Sequence, residues 1–376
     1  MTYNSKLQVL EKRKRKEKKL STFVLGTLVI LCASFVLSVY TASNVHVVIG
    51  YDTSTEGDDI FNYFPIQVHA DEDDDEMHPF ISSILKRSRG DGWEIKPWKD
   101  TTSTTSEDTV DSDGGEQPKV RWANFTSVVS GITRPMAIHE HFDFISRSIN
   151  KQHHWEDCDV LPTLWNEQKK KSTKPSGGVY VEIGANIGSC LMEMLLSTDA
   201  PIVAFEPHPK NLLCIRETIS RLEPELRRRV VVVPVALGDE HGSSTIYSAK
   251  NNMGNSVVGQ VVKDYDAQEF DKESEHTIPV ERLDSILKSD MVDTDITLMK
   301  LDAQGYECRI LEGMGPGIAK SVQQVKFEYA QKWLEAQNCN DYLPRLRDFG
   351  FSIYRGSNLV TDSVKAQLSD LVAKRD

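Results

Sequence analysis

Between residues 177 and 354 short apolar runs alternate with amphipathic segments. Val179-Tyr180-Val181 leads into Glu182-Ile183-Gly184-Ala185-Asn186-Ile187-Gly188, and Pro201-Ile202-Val203-Ala204-Phe205 ends in Glu206-Pro207. β-Branched and aromatic residues predict a strand at each run, while Leu191, Met194 and Leu195 between them recur at helical spacing. Strand, glycine turn, helix, strand and acid together make a βαβ unit, the half-site of a nucleotide-binding sheet. A helix over 211–222 and a valine-rich strand over 230–235 follow, then short β-like pieces at 244–247 and 277–280 around a polar loop at 251–256. Ile296-Thr297-Leu298-Met299-Lys300-Leu301-Asp302 reads as another central strand, backed by a helix over 307–314 and neighboured by a strand over 322–329 that carries Glu328 near its end. A helix over 331–347, a strand over 351–354 and a terminal helix over 360–371 complete an α/β domain spanning 177–376, a Rossmann-like sheet with flanking helices.

The pattern upstream is different. Residues 20–42 form an uncharged stretch of 23 residues, long enough to cross a bilayer as a helix, and residues 1–19 hold eight Lys or Arg against two Glu. The basic tract argues against a buried core helix and keeps 1–19 in the cytosol, so the expectation is a retained signal anchor of type II topology. Cleavage after Thr41-Ala42-Ser43 is the alternative. Residues 43–119 show no sustained period; an acidic run at 71–76 and a Thr/Ser run at 101–106 resist burial and predict a flexible, disordered stem. In 120–176, Phe142, Ile145 and Ile149 fall at helical spacing with Trp155 and Trp165 beyond, which predicts an N-terminal helical cap. Asn124-Phe125-Thr126 is a glycosylation sequon, usable if this part is lumenal.

Composition narrows the class. The 376 residues, 27% charged and 39% hydrophobic, suit one full-sized domain with extra segments. The net charge of −12 becomes −18 once the basic tip is set aside, which excludes a nucleic-acid-binding body. Six cysteines are dispersed: Cys32 in the expected anchor, Cys190, Cys214 and Cys308 on predicted helices as buried hydrophobes, and Cys158 and Cys339 free to pair in an oxidising lumen. His153, His154, Glu156 and Cys158 lack a second pair at ligand spacing, so no metal is expected there. No arrangement of His, Ser and Asp in the sequence suggests a hydrolase triad.

The chemistry expected of the βαβ unit follows from its glycines. Gly184 and Gly188 let the backbone turn tightly and approach a ligand, and the next helix directs free N–H groups at it. Glu206 lies 22 residues past Gly184, where an acid holds the hydroxyls of an adenosine ribose. Neither the three-glycine dinucleotide turn nor a Gly-Lys-Ser/Thr phosphate loop is present, which suggests an adenosine ligand without a phosphate, S-adenosylmethionine being the common one; a purely structural glycine turn of another α/β protein is the alternative. Lys300 and Asp302 share one strand face, with Asp302 at the carboxyl end, and Glu328 ends the neighbouring strand. Two carboxylates there would overhang the ligand crevice, where acid–base chemistry is wanted; capping or ion pairing is the other reading.

Taken in order, Glu182-Ile183-Gly184-Ala185-Asn186-Ile187-Gly188, Phe205-Glu206-Pro207, Ala236-Leu237-Gly238, Leu283-Asp284 and Lys300-Leu301-Asp302-Ala303-Gln304-Gly305-Tyr306-Glu307, completed by Ile310-Leu311-Glu312-Gly313, resemble the successive motifs of the FkbM-type methyltransferases. The resemblance covers about half the chain, 177–354, and leaves anchor, stem and cap uncovered. It implies a class I fold that uses S-adenosyl-L-methionine, commonly to methylate a hydroxyl oxygen. It places Glu182, Gly184, Ala185, Asn186 and Gly188 around the methionine part, Glu206 with Pro207 at the ribose, Ala236 beside the adenine and Asp302 facing the methyl. Gln304 departs from the Glu of many members, which leaves Asp302 and Glu328 as candidate bases, with Lys300 a further candidate.

The expectation is therefore a membrane-anchored O-methyltransferase of the secretory pathway, in the Golgi or endoplasmic reticulum. Its catalytic domain would be lumenal, its acceptor a glycan or another hydroxylated molecule, and nucleic acid would not be a partner. The alternatives are a non-catalytic binding or scaffold protein that keeps the fold, and a nicotinamide-dependent oxidoreductase, which the missing three-glycine turn disfavours.

Overall fold

A computed structural model describes residues 81, 84 and 119–375, apart from 142, 172–177, 250–251, 260–274, 288–294 and 362–368. The expected basic tail and membrane anchor lie outside the described residues, as do Phe142 and nearly all of the stem. Among the described residues no helix is long and apolar enough to cross a membrane.

The segment expected as a helical cap begins instead with β1 (Val120–Thr126) and β2 (Thr133–His139), an antiparallel hairpin running from the Val120–His139 pair to the Thr126–Thr133 pair. The correction has a physical cause. Gly131, at φ +71°, permits the tight reversal, and buried Glu193 accepts hydrogen bonds from Ser127 Oγ (2.9 Å) and the Val128 N–H (3.2 Å), which fixes the loop. The sequon residue Asn124 is exposed on β1 while Phe125 is buried. Helices come only afterwards: α1 (Phe144–Gln152), capped by Asp143 accepting from the Ser146 N–H, a 3-10 turn (Glu156–Cys158), and α2 (Leu161–Lys169).

The second part of the chain builds the sheet. β3 (Val179–Ile183), α3 (Ser189–Ser197), β4 (Ile202–Phe205), α4 (Pro209–Ser220), α5 (Pro224–Arg227) and β5 (Val230–Val233) form the first half. β6 (Ala236–Leu237), β7 (Gly242–Ala249), β8 (Asn252–Val258) and β9 (His276–Glu281) make a separate four-stranded sheet in the order β6-β9-β7-β8. After α6 (Leu283–Ile286) the chain re-enters the main sheet with β10 (Ile296–Leu301), α7 (Glu307–Ser321) and β11 (Gln324–Tyr329). It closes with α8 (Gln331–Ala336), α9 (Tyr342–Asp348), β12 (Ser352–Arg355), β13 (Asn358–Leu359) and β14 (Ser369–Lys374).

The main sheet runs β13-β12-β14-β11-β10-β3-β4-β5, with β11, β10, β3, β4 and β5 parallel and β14 antiparallel to both its neighbours. It is a mixed α/β sheet, and its strand order reverses between β3 and β10. A crevice opens outside the carboxyl ends of the strands at such a switch point, which is where Gly184 and Asp302 emerge. Most of the terminal helix expected over 360–371 lies outside the described residues, and its last three residues open β14 instead. Leu371 and Ala373 are buried between β11 and β12, so pairing on both sides sets the strand. The helix expected over 331–347 is split into α8 and α9 by Asn338, at φ +60°. The helix expected to end at residue 314 breaks there: Gly315 is non-helical, and a second helical stretch containing Pro316 continues to Ser321.

Parallel strands covered on both faces are ordinarily continuous apolar runs. Here the register sets Glu182 beside Lys300 and Lys300 beside Lys326, all three buried in the middle of the sheet. Burying such groups costs several kcal/mol per unpaired ion, about enough to cancel the burial of two or three leucines, so their placement calls for a role beyond packing.

Candidate active site

β3 ends in a turn that requires its glycines. Gly184 has φ +80°, and a Cβ there would stand 1.9 Å from the Asp302 carbonyl oxygen, so the two central loops touch only because residue 184 has no side chain. Gly188, at φ +88°, starts α3, and Asn186 between them is also left-handed at φ +53°. The Asn186 N–H donates to Glu206 Oε2 at 2.7 Å, while Glu206 Oε1 accepts from the His208 N–H (2.8 Å) and Asn211 Nδ2 (3.2 Å). Burial pushes the Glu206 carboxyl up to about 7 against those donors. Asn211 Oδ1 meets His139 Nε2 at 2.9 Å, so β2 of the cap braces the acid through α4.

Across the crevice stands a set of charged groups. Lys300 Nζ lies 3.0 Å from Asp302 Oδ2. Burial alone would discharge Lys300, but Asp302 and Glu182 hold it protonated, so it is a counter-ion and not a base. Burial likewise opposes ionisation of half-buried Asp302, yet the charge of Lys300 keeps its carboxyl below the usual range. Glu328 goes the other way: burial, then the negative charges of Asp302 and Glu307, push it up to about 8. Gln304 Nε2 donates to Asp302 Oδ1 at 2.7 Å and approaches Glu328 Oε2 at 3.4 Å. A glutamate at 304 would set a third carboxylate between two others, whereas the amide bridges them.

Glu182, 1% exposed, has neither carboxylate oxygen hydrogen-bonded, and burial drives it up to about 7 while Lys300 opposes. Glu307, the first residue of α7, is also pushed up to about 7 by burial, although the Ala303 N–H donates to it at 3.1 Å. Two carboxyls held ionised or neutral by their surroundings, Asp302 and Glu328, side by side at adjacent strand ends, are the arrangement that separates a proton acceptor from a proton donor.

Between the two halves lies a cleft of about 610 Å³, part of it open to solvent. It is lined by Gly184, Asn186, Glu206, Pro207, Ala236 and Asp302 from the residues predicted on sequence, with Gln304 beside Asp302. Glu182, Ala185, Gly188, Lys300 and Glu328 do not line it. The Ala185 N–H is spent on the Phe205 carbonyl at 3.1 Å, so this residue holds the turn. Sequence reading missed Asn211, Leu237, Tyr306 and, from β8, Met253, Gly254 and Ser256. The β8 residues fall in the segment read as a polar loop, because a half-exposed strand rich in Asn, Gly and Ser carries no hydrophobic alternation.

Cys158 is bonded to Cys190 and Cys308 to Cys339, so Cys190 and Cys308, expected as buried hydrophobes, are disulfide partners, Cys158 does not pair with Cys339, and the thiol beside His153 and His154 is removed. His154 Nδ1 instead pairs with Asp159 at 3.2 Å, and among the described residues no group of three or more His, Cys, Asp and Glu suits a metal. Ser285, His241 and Glu281 fall in hydrogen-bonded line, Ser285 Oγ to His241 Nε2 at 3.1 Å and His241 Nδ1 to Glu281. None of them lines the cleft, and the N–H groups of Ser285 and Ile286 are both committed to the Arg282 carbonyl, so no oxyanion donor adjoins the serine.

Comparison with known proteins adds a sequence finding. Residues 182–353 match the methyltransferase FkbM domain. No curated protein matches the chain. Among solved structures, a methyltransferase FkbM from Methylobacillus flagellatus KT is 17% identical, with 61% of this chain and 59% of that chain covered at a TM-score of 0.33. A precorrin-6y C5,15-methyltransferase from Geobacter metallireducens GS-15 is 12% identical over 58% of this chain and 89% of its own, at 0.30. The magnesium protoporphyrin IX methyltransferase of Synechocystis PCC 6803, with bound S-adenosylmethionine, is 10% identical over 64% and 87%, at 0.34.

Proposed function

The chain carries a domain of the FkbM methyltransferase family at residues 182–353, and from that premise we propose that it transfers a methyl group from S-adenosylmethionine to a hydroxyl oxygen of a glycan or another secretory-pathway acceptor. The observation that carries the reading is the pairing of a glycine turn whose Asn186 N–H meets Glu206 with Asp302 and Gln304 on the other side of one cleft, Gln304 Nε2 reaching Glu328 behind them at 3.4 Å. The residues fit the cofactor: Glu182 is buried with two unanswered oxygens, and Glu206 Oε2, which accepts one protein N–H, keeps capacity for a ribose hydroxyl.

When bound, the cofactor supplies a methyl group on a sulfonium, already a good leaving group. The chain's part is then to bind, align and take up a proton. Asn186 and the Gly184 turn would hold the methionine portion, Glu206 the ribose, and Ala236 with Leu237 the adenine, while Glu182 and Gly188, which flank that turn in the chain, do not line the cleft. Asp302, kept ionised by Lys300, withdraws the proton of the acceptor hydroxyl as the new bond forms. Glu328, pushed up to about 8, would act on that oxygen through Gln304, which bridges it to Asp302, and alignment of the acceptor behind the methyl carbon would supply most of the rate.

The same reading places the domain on the lumenal side of a membrane, held by residues 20–42. The basic tip and uncharged stretch support it, as do two disulfides, which persist in oxidising compartments, and the exposed Asn124 of the sequon. Calorimetric titration of the full chain with S-adenosylmethionine tests the core of the proposal. Micromolar binding is expected, weakened about 30-fold or more in Glu206→Ala through loss of charged hydrogen bonds worth about 2 kcal/mol. A folded protein that binds no cofactor would instead be a scaffold.

A further inference from the structure

Glu206 is already largely committed within the protein. A carboxylate offers about four acceptor sites, and three groups occupy them here: the His208 N–H and Asn211 Nδ2 at Oε1, and the Asn186 N–H at Oε2. One site is left, whereas the ribose of the cofactor presents two hydroxyls. Asn211 also lines the cleft, but it is 2% exposed and its amide faces Glu206 and His139.

A second hydrogen-bond acceptor stands on the other sheet. Burial holds His208 well below the usual histidine range, so its ring is neutral. Its Nδ1 accepts from the Lys210 N–H at 3.2 Å, which leaves the ring proton on Nε2 to be donated to Ser248 Oγ at 2.8 Å. At the far end, half-buried Ser256 of β8 donates its hydroxyl hydrogen to the Met253 carbonyl at 2.7 Å. The 2.9 Å contact between the two serines must then run from Ser248 to Ser256. His208 and Ser248 are buried, and of the three only Ser256 lines the cleft. With every proton of this line pointing the same way, Ser256 meets the cleft with no hydrogen to give and one lone pair to offer. The residue that holds Glu206 by its backbone N–H thus directs Ser256 by its ring.

We infer that Ser256 binds the cofactor, accepting a hydrogen bond from one ribose hydroxyl while Glu206 accepts from the other, so that the diol is gripped from both sheets. This rests on the methyl-transfer reading of the same cleft.

The test is calorimetric titration of the full chain, native and Ser256→Ala, with S-adenosylhomocysteine and its 2′-deoxy and 3′-deoxy analogues. In the native protein each deoxy analogue should bind about five- to tenfold more weakly, the loss of one hydrogen bond. In Ser256→Ala one analogue should bind as tightly as S-adenosylhomocysteine itself, and the other should keep its deficit because Glu206 still answers that hydroxyl. A serine that served only as a strut between the sheets would weaken all three ligands alike and leave their ratios unchanged, and that result would overturn the inference. So would loss of both deficits in the variant, or equal binding of all three ligands by the native protein, a result that needs no variant. Each of these leaves cofactor binding, and with it methyl transfer, standing. A folded native protein that bound none of the three would overturn the underlying reading as well.

Discussion

The two walls of the cleft are built on opposite plans. On the Gly184–Glu206 side the groups that would meet the cofactor are mostly backbone, fixed by three left-handed residues and by an acid whose oxygens accept three N–H groups. On the Asp302–Glu328 side they are titratable side chains from β10 and β11, held by one another's charge. A wall of backbone holds one fixed shape, whereas a wall of side chains can be altered residue by residue without disturbing the turn.

The largest effect is predicted where the walls touch. Gly184→Ala would drive a Cβ into the Asp302 carbonyl and force a left-handed conformation on alanine, for a loss of about 3 kcal/mol or more in stability and of cofactor binding altogether. Gly313→Ala is the control. Its Cβ would stand 1.8 Å from the Gly238 carbonyl, where α7 meets β6, so stability should fall comparably while the protein that remains folded still binds cofactor. Equal loss of binding per folded molecule in both would show that the turn at 184 has no special part.

Next comes the charge set. Asp302→Asn removes the proton acceptor, and kcat should fall about 10²–10⁴-fold. Lys300 would keep Glu182 as a counter-ion, so the stability cost, about 1–2 kcal/mol after allowance for the solvent exposure of Asp302, stays below that of stranding a fully buried charge. Single-turnover rates with cofactor affinity measured alongside would check it, and full turnover in this variant would remove the assignment. Gln304→Glu sharpens the point: a third carboxylate beside Asp302 and Glu328 should raise the pH at which activity appears.

The same contrast governs what was legible in the sequence. The cofactor wall is nearly contiguous, so β3, its turn and β4 could be read from apolar runs, glycines and an acid at fixed spacing. Asp302 and Glu328 were legible because each ends an apolar strand. Lys326 and Asn211 were not, since they reach the site only through strand register and a helix N-terminus. The β1–β2 hairpin mixes Trp, Arg, Ala and Asn without strict alternation, so it was decided by the pairing of its strands and not by local preference. The disulfides were out of reach for the same reason.

Those disulfides give the third prediction. They close loops of similar span, 32 and 31 residues, so chain entropy assigns each about 3–4 kcal/mol. Cys158→Ser and Cys308→Ser should therefore lower the melting temperature by similar amounts, yet differ in function. Only Cys158–Cys190 ties the cap to the glycine turn, so its loss should raise the cofactor Kd, whereas loss of Cys308–Cys339, which joins α7 to the end of α8, should leave that Kd near the native value. Matching Kd changes in the two variants would detach the cap from cofactor binding.

The smallest effect is set by pH and separates the walls by sign. Glu182, Glu206 and Glu307 are held up to about 7 and Glu328 up to about 8, all by burial first. Between the ordinary glutamate range near about 4.3 and those values the folded protein binds more protons than the unfolded chain, so their stabilising contribution is full at the acid end and lost as pH rises. Asp302, held below its usual range by Lys300 against burial, contributes the opposite slope, but only below about pH 4. The ligand-free protein should thus lose stability between pH 5 and 8, read as a falling melting temperature. A bound cation next to Glu182 and Glu206 would favour their ionised forms, so saturating S-adenosylmethionine should flatten that slope and bind more tightly as pH rises. Glu328→Gln should remove only the part of the slope nearest pH 8, because its proton answers to Asp302 and Glu307 and not to the cofactor wall. A slope untouched by cofactor would mean that the buried carboxyls of the turn do not meet it.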